Sequence, residues 1–277
     1  MRTLVIIPTY LEADNIADVL RRVRSAAPHV DILVVDDSSP DGTADLAKAT
    51  NDEVDQIDVL VRPDKGGLGV AYRAGFDHAF TGGYEVAVQM DADLSHDPDA
   101  LPELLARIDE GADVAIGSRY VKGGKIPHWP MVRRLLSRIG NTYASTILGL
   151  GVHDATSGFR AYRANVLQSI EVSHTKATGY GFQVELAYRA HRMGAEIVEV
   201  PITFNDRVRG EWKMSWHIIG EAMSLVTWWA LRDRVFGAFR RSKAAKITEP
   251  AAPAADVADV SLPAVTLETV EAESTDA

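Results

Sequence analysis

Residues 86–96, VAVQMDADLSH, constrain the fold more than any other stretch of the chain. In an extended backbone Val86, Val88 and Met90 point one way and Ala87 and Gln89 the other. A strand that is largely apolar on both sides belongs inside a sheet covered on both faces, and such sheets are mostly parallel. The run stops abruptly at Asp91 and Asp93. Two carboxylates are costly to bury in mid-strand, so they are expected at a solvent-facing carboxyl end, the edge where ligands bind in open α/β sheets. There they project nominally to one side, and a divalent cation with a diphosphate would satisfy both charges. Asp also favours turns, so on D-x-D alone the preferred reading is an Asp-capped turn.

The rest of the chain changes that balance. Leu4–Ile7 is a short apolar run stopped by Pro8, and Ala13–Ala27 carries Ile16, Val19, Leu20 and Val23 at helical spacing. A strand at Ile32–Val35, a helix from Thr43 to Asn51, a strand at Val59–Val61 and a helix over Val70–Phe80 follow. Beyond Val86 come a helix at Pro98–Glu110 and a strand at Val114–Ile116. Alternating strand and helix predicts an α/β, doubly wound, mostly parallel sheet with flanking helices. Gly66-Gly67-Leu68-Gly69 lacks the G-x-G-x-x-G dinucleotide pattern, so these glycines read as a tight turn with close helix packing.

Acids follow three strands: Glu12 after Pro8-Thr9-Tyr10, then Asp36 and Asp37, then Asp91 and Asp93. One acidic loop is a solvated turn. Three converging on one edge make a nucleotide and metal site. Arg119, after the fifth strand, reaches the same edge and can balance a diphosphate.

Composition narrows the class. The absence of cysteine excludes disulfides and thiolate metal sites. Thr3–Ile7 enters a strand-like run with no basic n-region before it, so no secretory signal is expected. Of the net charge of -10, -7 lies in residues 248–277, leaving -3 for the rest. That balance gives no reason to expect a nucleic-acid partner.

Three blocks now become recognisable: Val5-Ile6-Ile7-Pro8-Thr9-Tyr10-Leu11-Glu12, Val34-Val35-Asp36-Asp37-Ser38-Ser39-Pro40-Asp41-Gly42-Thr43 and Gln89-Met90-Asp91-Ala92-Asp93-Leu94-Ser95-His96. They resemble family 2 glycosyltransferases with the GT-A fold, a Rossmann-like arrangement. Gly117-Ser118-Arg119-Tyr120, Asp154-Ala155-Thr156-Ser157-Gly158-Phe159-Arg160 and Arg207-Val208-Arg209-Gly210-Glu211-Trp212-Lys213-Met214-Ser215 resemble the dolichol-phosphate or polyprenol-phosphate mannosyltransferases within it. Trp212 stands where that family often has Ser. The match runs from Arg2 to Leu231.

The resemblance implies transfer of mannose from GDP-mannose to a polyprenyl (dolichyl-type) monophosphate, giving polyprenyl-phosphate β-mannose by a metal-assisted inverting route. Pro8, Tyr10, Glu12, Val35 and Asp37 would hold the guanosine. Asp91, Ala92 and Asp93 would hold diphosphate and Mg²⁺ or Mn²⁺, Asp93 being the firmer metal ligand. Arg119, Arg207 and Lys213 would bind phosphates, and Arg133, Arg134 and Ser137 would approach the acceptor phosphate. Of these, Asp91, Asp93, Arg119, Arg133 and Ser137 form the implied catalytic set. A lipid monophosphate is already an anion near neutral pH, so no general base is needed. His96 and His128 are therefore read as structural or surface residues.

No apolar stretch reaches the ~20 residues needed to span a bilayer. Trp129–Leu150 and Trp216–Phe239 mix tryptophan, aliphatics and arginine, the composition of an interfacial helix or of an amphipathic helix packed on a core. The second is expected to meet the membrane or to dock on a membrane-spanning partner subunit. The expected organisation is a catalytic domain at 1–212, amphipathic membrane-interface helices at 213–242 and a disordered acidic Ala/Pro-rich tail at 243–277. The expected location is cytoplasmic, peripheral on the cytoplasmic face of a membrane. The alternatives are the same chemistry with another nucleotide sugar such as UDP-glucose, or a non-catalytic binder of nucleotide sugars or lipid phosphates. The paired aspartates and their basic partners argue against the binder.

Overall fold

A computed structural model describes residues 1–175, 177, 179–205 and 223–232. The chain opens with β1 (Thr3–Thr9), α1 (Ile16–Ala26), β2 (Asp31–Asp36), α2 (Thr43–Val54), β3 (Ile57–Val61), α3 (Leu68–Thr81) and β4 (Val86–Gln89). It continues with α4 (Leu101–Asp109), β5 (Val114–Ser118), α5 (Met131–Leu148), β6 (Arg160–Arg163), α6 (Ala164–Ser169), α7 (Gly179–Arg192) and β7 (Ile197–Pro201). Residues 223–232 are helical as well.

Among the described residues the strands form one sheet in the order β3-β2-β1-β4-β6-β5-β7. β6 runs antiparallel to both β4 and β5, while every other pairing is parallel. The alternation of side chains along the strands decides which layer each residue enters. Val5, Ile7, Val86 and Val88 join α1 and α4 on one face. Leu4, Ile6 and Ala87 join α3, α6 and α7 on the other. Both faces are covered, as the apolar β4 requires.

β6 was not anticipated, for a physical reason. Arg160 and Tyr162 alternate with Ala161, a pattern that reads as a polar turn. Yet Arg160 is fully buried because its guanidinium donates to three backbone carbonyls, those of Ser157, Gln183 and Ala155, and to the Tyr162 hydroxyl. Those partners lie up to 23 residues away, so no local signal announces them.

Gly75 lets α3 lie against β1. A Cβ there would collide with Ile6 Cγ2, a methyl on the branched Cβ, which is stiff at χ1 and cannot swing aside freely. Gly75→Ala is expected to cost about 1–3 kcal/mol despite alanine's better helix propensity, as read by urea denaturation.

Candidate active site

The carboxyl ends of β1, β2 and β4 meet at one edge of the sheet. After β2, Asp36 is fully buried and spent on local structure. It accepts from Thr9 Oγ1 at 2.8 Å, Ser39 N–H at 2.8 Å and Ser39 Oγ at 2.6 Å. Asp37 also has work to do within the fold. Arg62 Nη1 donates to its Oδ1 at 2.6 Å, and the Gly66 and Gly67 amides donate to Oδ2 at 3.1 and 3.3 Å. The glycines are therefore a turn whose bare amides reach a carboxylate, with Gly67 at φ 82°. Tyr10 sits close by with Lys65 Nζ 3.6 Å above its ring. Glu12 Oε2 accepts from Asn15 Nδ2 at 2.9 Å. Pro8, Tyr10, Glu12 and Asp37 thus share one corner, with Arg62 and Lys65, which sequence reasoning missed. Val35 and Ala92 are buried, one in each of the two cores.

After β4, the two aspartates differ. Asp93 is only 5% exposed and not solvent-facing as expected from the strand end, because its Oδ1 turns inward to accept from Ser95 N–H at 3.0 Å. Asp91 is braced from two elements. Tyr72 of α3 donates its hydroxyl to Oδ1 at 3.2 Å, and burial followed by the Asp91 charge pushes that phenol well above its ordinary value, so it stays a donor. His96 Nδ1 accepts from the Asp91 N–H at 3.1 Å, which places the ring proton on Nε2, 3.9 Å from Asp91 Oδ2. His96 is 1% exposed and structural, as read, whereas His128 is at the surface. The helical pattern marks Tyr72 only as a core residue; its tie to Asp91 spans 19 positions and is tertiary.

The donor set suits a hard divalent cation. It is all oxygen, the two carboxylates of Asp91 and Asp93 just past the end of β4. Among the described residues no group of three His, Asp or Glu side chains converges to cage a metal. A cation here would complete its shell with substrate phosphates and water, as Mg²⁺ commonly does.

Arg119 has a partner within the fold. Its Nε and Nη2 donate to Asp154 Oδ2 and Oδ1 at 2.7 Å each, its backbone N–H adds a third bond at 3.0 Å, and Asp154 is fully buried. Asp154, quoted above as a motif residue without a role, is thus the anchor of Arg119. Burial pushes the Asp154 carboxyl up, but the Arg119 charge and hydrogen bonds outweigh it and hold the carboxyl below its ordinary value. The carboxylate therefore stabilises the fold above the unfolded pKa, and that contribution is lost as pH falls through the lower folded value. Asp154→Ala leaves a buried guanidinium uncompensated, and a loss of about 3–5 kcal/mol is expected by chemical denaturation at neutral pH, shrinking in strong acid.

α5 brings the remaining side chains. Arg133 and Ser137, one turn apart, share a helix face. The Arg133 guanidinium lies 3.8 Å above the Trp129 ring. Arg134 diverges: its Nη2 donates to the Ile126 carbonyl at 2.8 Å, and it lines a cavity of about 340 Å³ with Arg119, Met131, Leu135 and Arg138. Met131, Val132, Leu135 and Ile139 are 77, 69, 58 and 55% exposed, an apolar stripe with no cover among the described residues. Tyr143 bonds Thr227 at 2.7 Å and Tyr188 stacks on Trp229 at 5.6 Å, so the 223–232 helix packs beside α5 and α7 with Met223, Trp228 and Leu231 outward. No helix among the described residues is long and apolar enough to cross a membrane. Arg207, Lys213, the remainder of Trp216–Phe239 and the 243–277 tail lie outside the described residues.

Comparison with known proteins decides the class. The family model described as "Glycosyl transferase family 2" matches residues 4–171. A polyprenol monophosphomannose synthase of Mycolicibacterium smegmatis is 51% identical over 235 residues, covering 84% of this chain and 89% of that protein. The chain belongs to glycosyl transferase family 2, in its polyprenol-phosphate mannosyltransferase branch. It is a glycosyltransferase with the GT-A fold. An undecaprenyl-phosphate mannosyltransferase of Micrococcus luteus is 50% identical over 234 residues, covering 84% of this chain and 96% of that one. Among solved structures, glucosyl-3-phosphoglycerate synthase of Mycobacterium tuberculosis with Mn²⁺ and UDP-glucose superposes at TM-score 0.59 with 20% identity, covering 84% of this chain and 78% of that one. A Pyrobaculum calidifontis mannosyltransferase in complex with GDP-Man and Mn²⁺ does so at 0.52 with 19% identity, covering 89 and 66%. At such identities the likeness carries the fold alone.

Proposed function

We propose that this glycosyltransferase moves mannose from GDP-mannose to a polyprenyl monophosphate, with inversion to a β-linked mannosyl phosphate. The observation that carries the reading is the run of contacts from the turn after β4 to α5: His96, which accepts from the Asp91 N–H, meets Phe204, Phe204 meets Trp129, and Trp129 carries Arg133, while Met131, Val132, Leu135 and Ile139 of α5 are exposed. The names of the two relatives at 50–51% identity support the sugar and the lipid. The corner of Tyr10, Glu12 and Asp37 takes the guanosine. Asp91 and Asp93 hold Mg²⁺ or Mn²⁺, which when bound supplies Lewis-acid stabilisation of the departing diphosphate. Tyr72 holds the Asp91 carboxylate and His96 holds the Asp91 backbone N–H before substrate arrives, so little reorganisation is needed at the reacting centre. Arg133 and Ser137 hold the acceptor phosphate, whose own charge makes it the nucleophile. Arg207 and Lys213 contribute further cations to the phosphates.

The exposed stripe of α5 and the outward Trp228 and Leu231 meet the cytoplasmic membrane face, where a polyprenyl chain is embedded. The segment 213–242 completes that contact and is where a membrane-spanning subunit would dock. The test is turnover with polyprenyl phosphate in vesicles against a panel of labelled nucleotide sugars with Mg²⁺ or Mn²⁺. Transfer from GDP-mannose alone is expected. Preference for UDP-glucose would reassign the donor, and binding without turnover would make the chain a carrier of substrates.

A further inference from the structure

Four aromatic rings connect the two halves of the cleft. The His96 ring stacks on Phe159 at 5.1 Å and meets Phe204 edge-on at 5.6 Å. Phe204 in turn meets Trp129 edge-on at 5.6 Å, and Trp129 carries the Arg133 guanidinium. One end of this column is tied to Asp91 through the His96 Nδ1 bond; the other ends on the cation assigned to the acceptor phosphate. The backbone pins the middle. Phe204 bridges His96 in antiparallel register, its N–H donates to the Lys125 carbonyl at 2.9 Å, and the Asn205 N–H donates to the Ser95 carbonyl at 3.1 Å. Three distant segments, 95–96, 125–129 and 203–205, therefore converge on one ring.

Trp129 is 8% exposed, and its indole N–H is buried without a hydrogen-bond partner. Such a donor is costly to bury, so its polar atom does not explain the residue; the ring surface does. An aromatic ring moves on two torsions and is stiff when packed, whereas an arginine left to itself samples many rotamers.

We propose that Phe204 and Trp129 are positioning residues for sugar transfer: the column His96–Phe204–Trp129 sets the Arg133 guanidinium at a fixed distance from the Asp91 carboxylate, so that acceptor phosphate and donor are held in reacting register. This rests on the function proposed above. The cation–π seat orients the Arg133 guanidinium. Neither ring touches a reacting atom. Arg119 also lies over both rings, 5.7 Å from Trp129 and 5.2 Å from Phe204, but its two-bond clasp by Asp154 holds it independently of them, so the expected effect runs through Arg133.

The experiment is a double-mutant cycle in the full chain with vesicle-borne polyprenyl phosphate. Trp129→Leu is expected to lower acceptor kcat/KM roughly ten-fold with GDP affinity by calorimetry held within about two-fold. Trp129→Phe, which keeps a ring and drops the unpartnered N–H, should recover most of the loss. In an Arg133→Ala background Trp129→Leu should add less than about a two-fold further loss, because the group it positions is gone. Independent, multiplying losses would overturn the proposal, as would wild-type acceptor kinetics in Trp129→Leu or an equal fall in GDP affinity. Where a melt shows Trp129→Leu unfolded, Phe204→Leu, close in volume, carries the same cycle and criteria. Absence of wild-type turnover with polyprenyl phosphate sinks the function reading and the column's role together; wild-type turnover with a failed cycle sinks the column alone.

Discussion

Asp93→Asn is expected to reduce mannosyl transfer by roughly a hundred-fold or more while the melting temperature barely moves. The separation of the two effects follows from geometry. Asp93 Oδ1 accepts from Ser95 N–H at 3.0 Å, and an asparagine oxygen can accept the same bond, so the turn after β4 persists. What disappears is the negative charge, which a divalent cation requires of its carboxylate ligand. Alanine is the poorer probe, since it would leave the Ser95 amide without its acceptor in a site that is 5% exposed. The measurements are transfer with Mg²⁺ or Mn²⁺, Mn²⁺-dependent GDP affinity by calorimetry and a thermal melt. Full turnover by a folded Asp93→Asn protein would remove this carboxylate from the mechanism.

Arg133→Ala should fall on the acceptor side. A charge-assisted contact to phosphate contributes about 1.5–3 kcal/mol, so acceptor kcat/KM should drop roughly ten-fold or more. GDP-mannose affinity should hold, because the corner proposed for guanosine and the aspartate pair follow β1, β2 and β4 rather than belonging to α5. Stability should change little, since Arg133 is half-buried and a single cation–π contact of this kind contributes about 1 kcal/mol. Collapse of donor affinity with intact acceptor kinetics would place Arg133 on the donor side and redraw the cleft. The comparison with Arg134→Ala is informative: that side chain is turned to the Ile126 carbonyl, and a smaller acceptor effect is expected.

The sequence by itself determined the sheet, the edge and the chemistry class. The first five expected strands sit within a residue or two of β1 to β5, because each apolar run needs two covered faces and so reports its own environment. Asp91 and Asp93 emerge at the carboxyl end for the same reason: charge cannot continue into that core. The glycine turn after β3 was legible as a turn, although its role as a seat for Asp37 was not.

Only the tertiary structure decided how the charges are divided. Asp36, Asp37, Arg119 and Asp154 look alike in sequence, as charged residues at strand ends or in connections. Their partners lie between 2 and 45 positions away. Asp36 and Asp154 are consumed in buried bonds, Arg119 is clasped by Asp154, and Asp91 accepts from Tyr72 of α3 while its N–H donates to His96. The antiparallel β6 is a matter of the same kind, since Arg160 is buried only because carbonyls from several segments surround it. Local pattern reports whether a side chain is apolar and how often; it carries nothing about which distant donor meets which acceptor. Burying a charge is affordable only when that long-range pairing is complete, so the roles of charged residues are settled by the assembled fold.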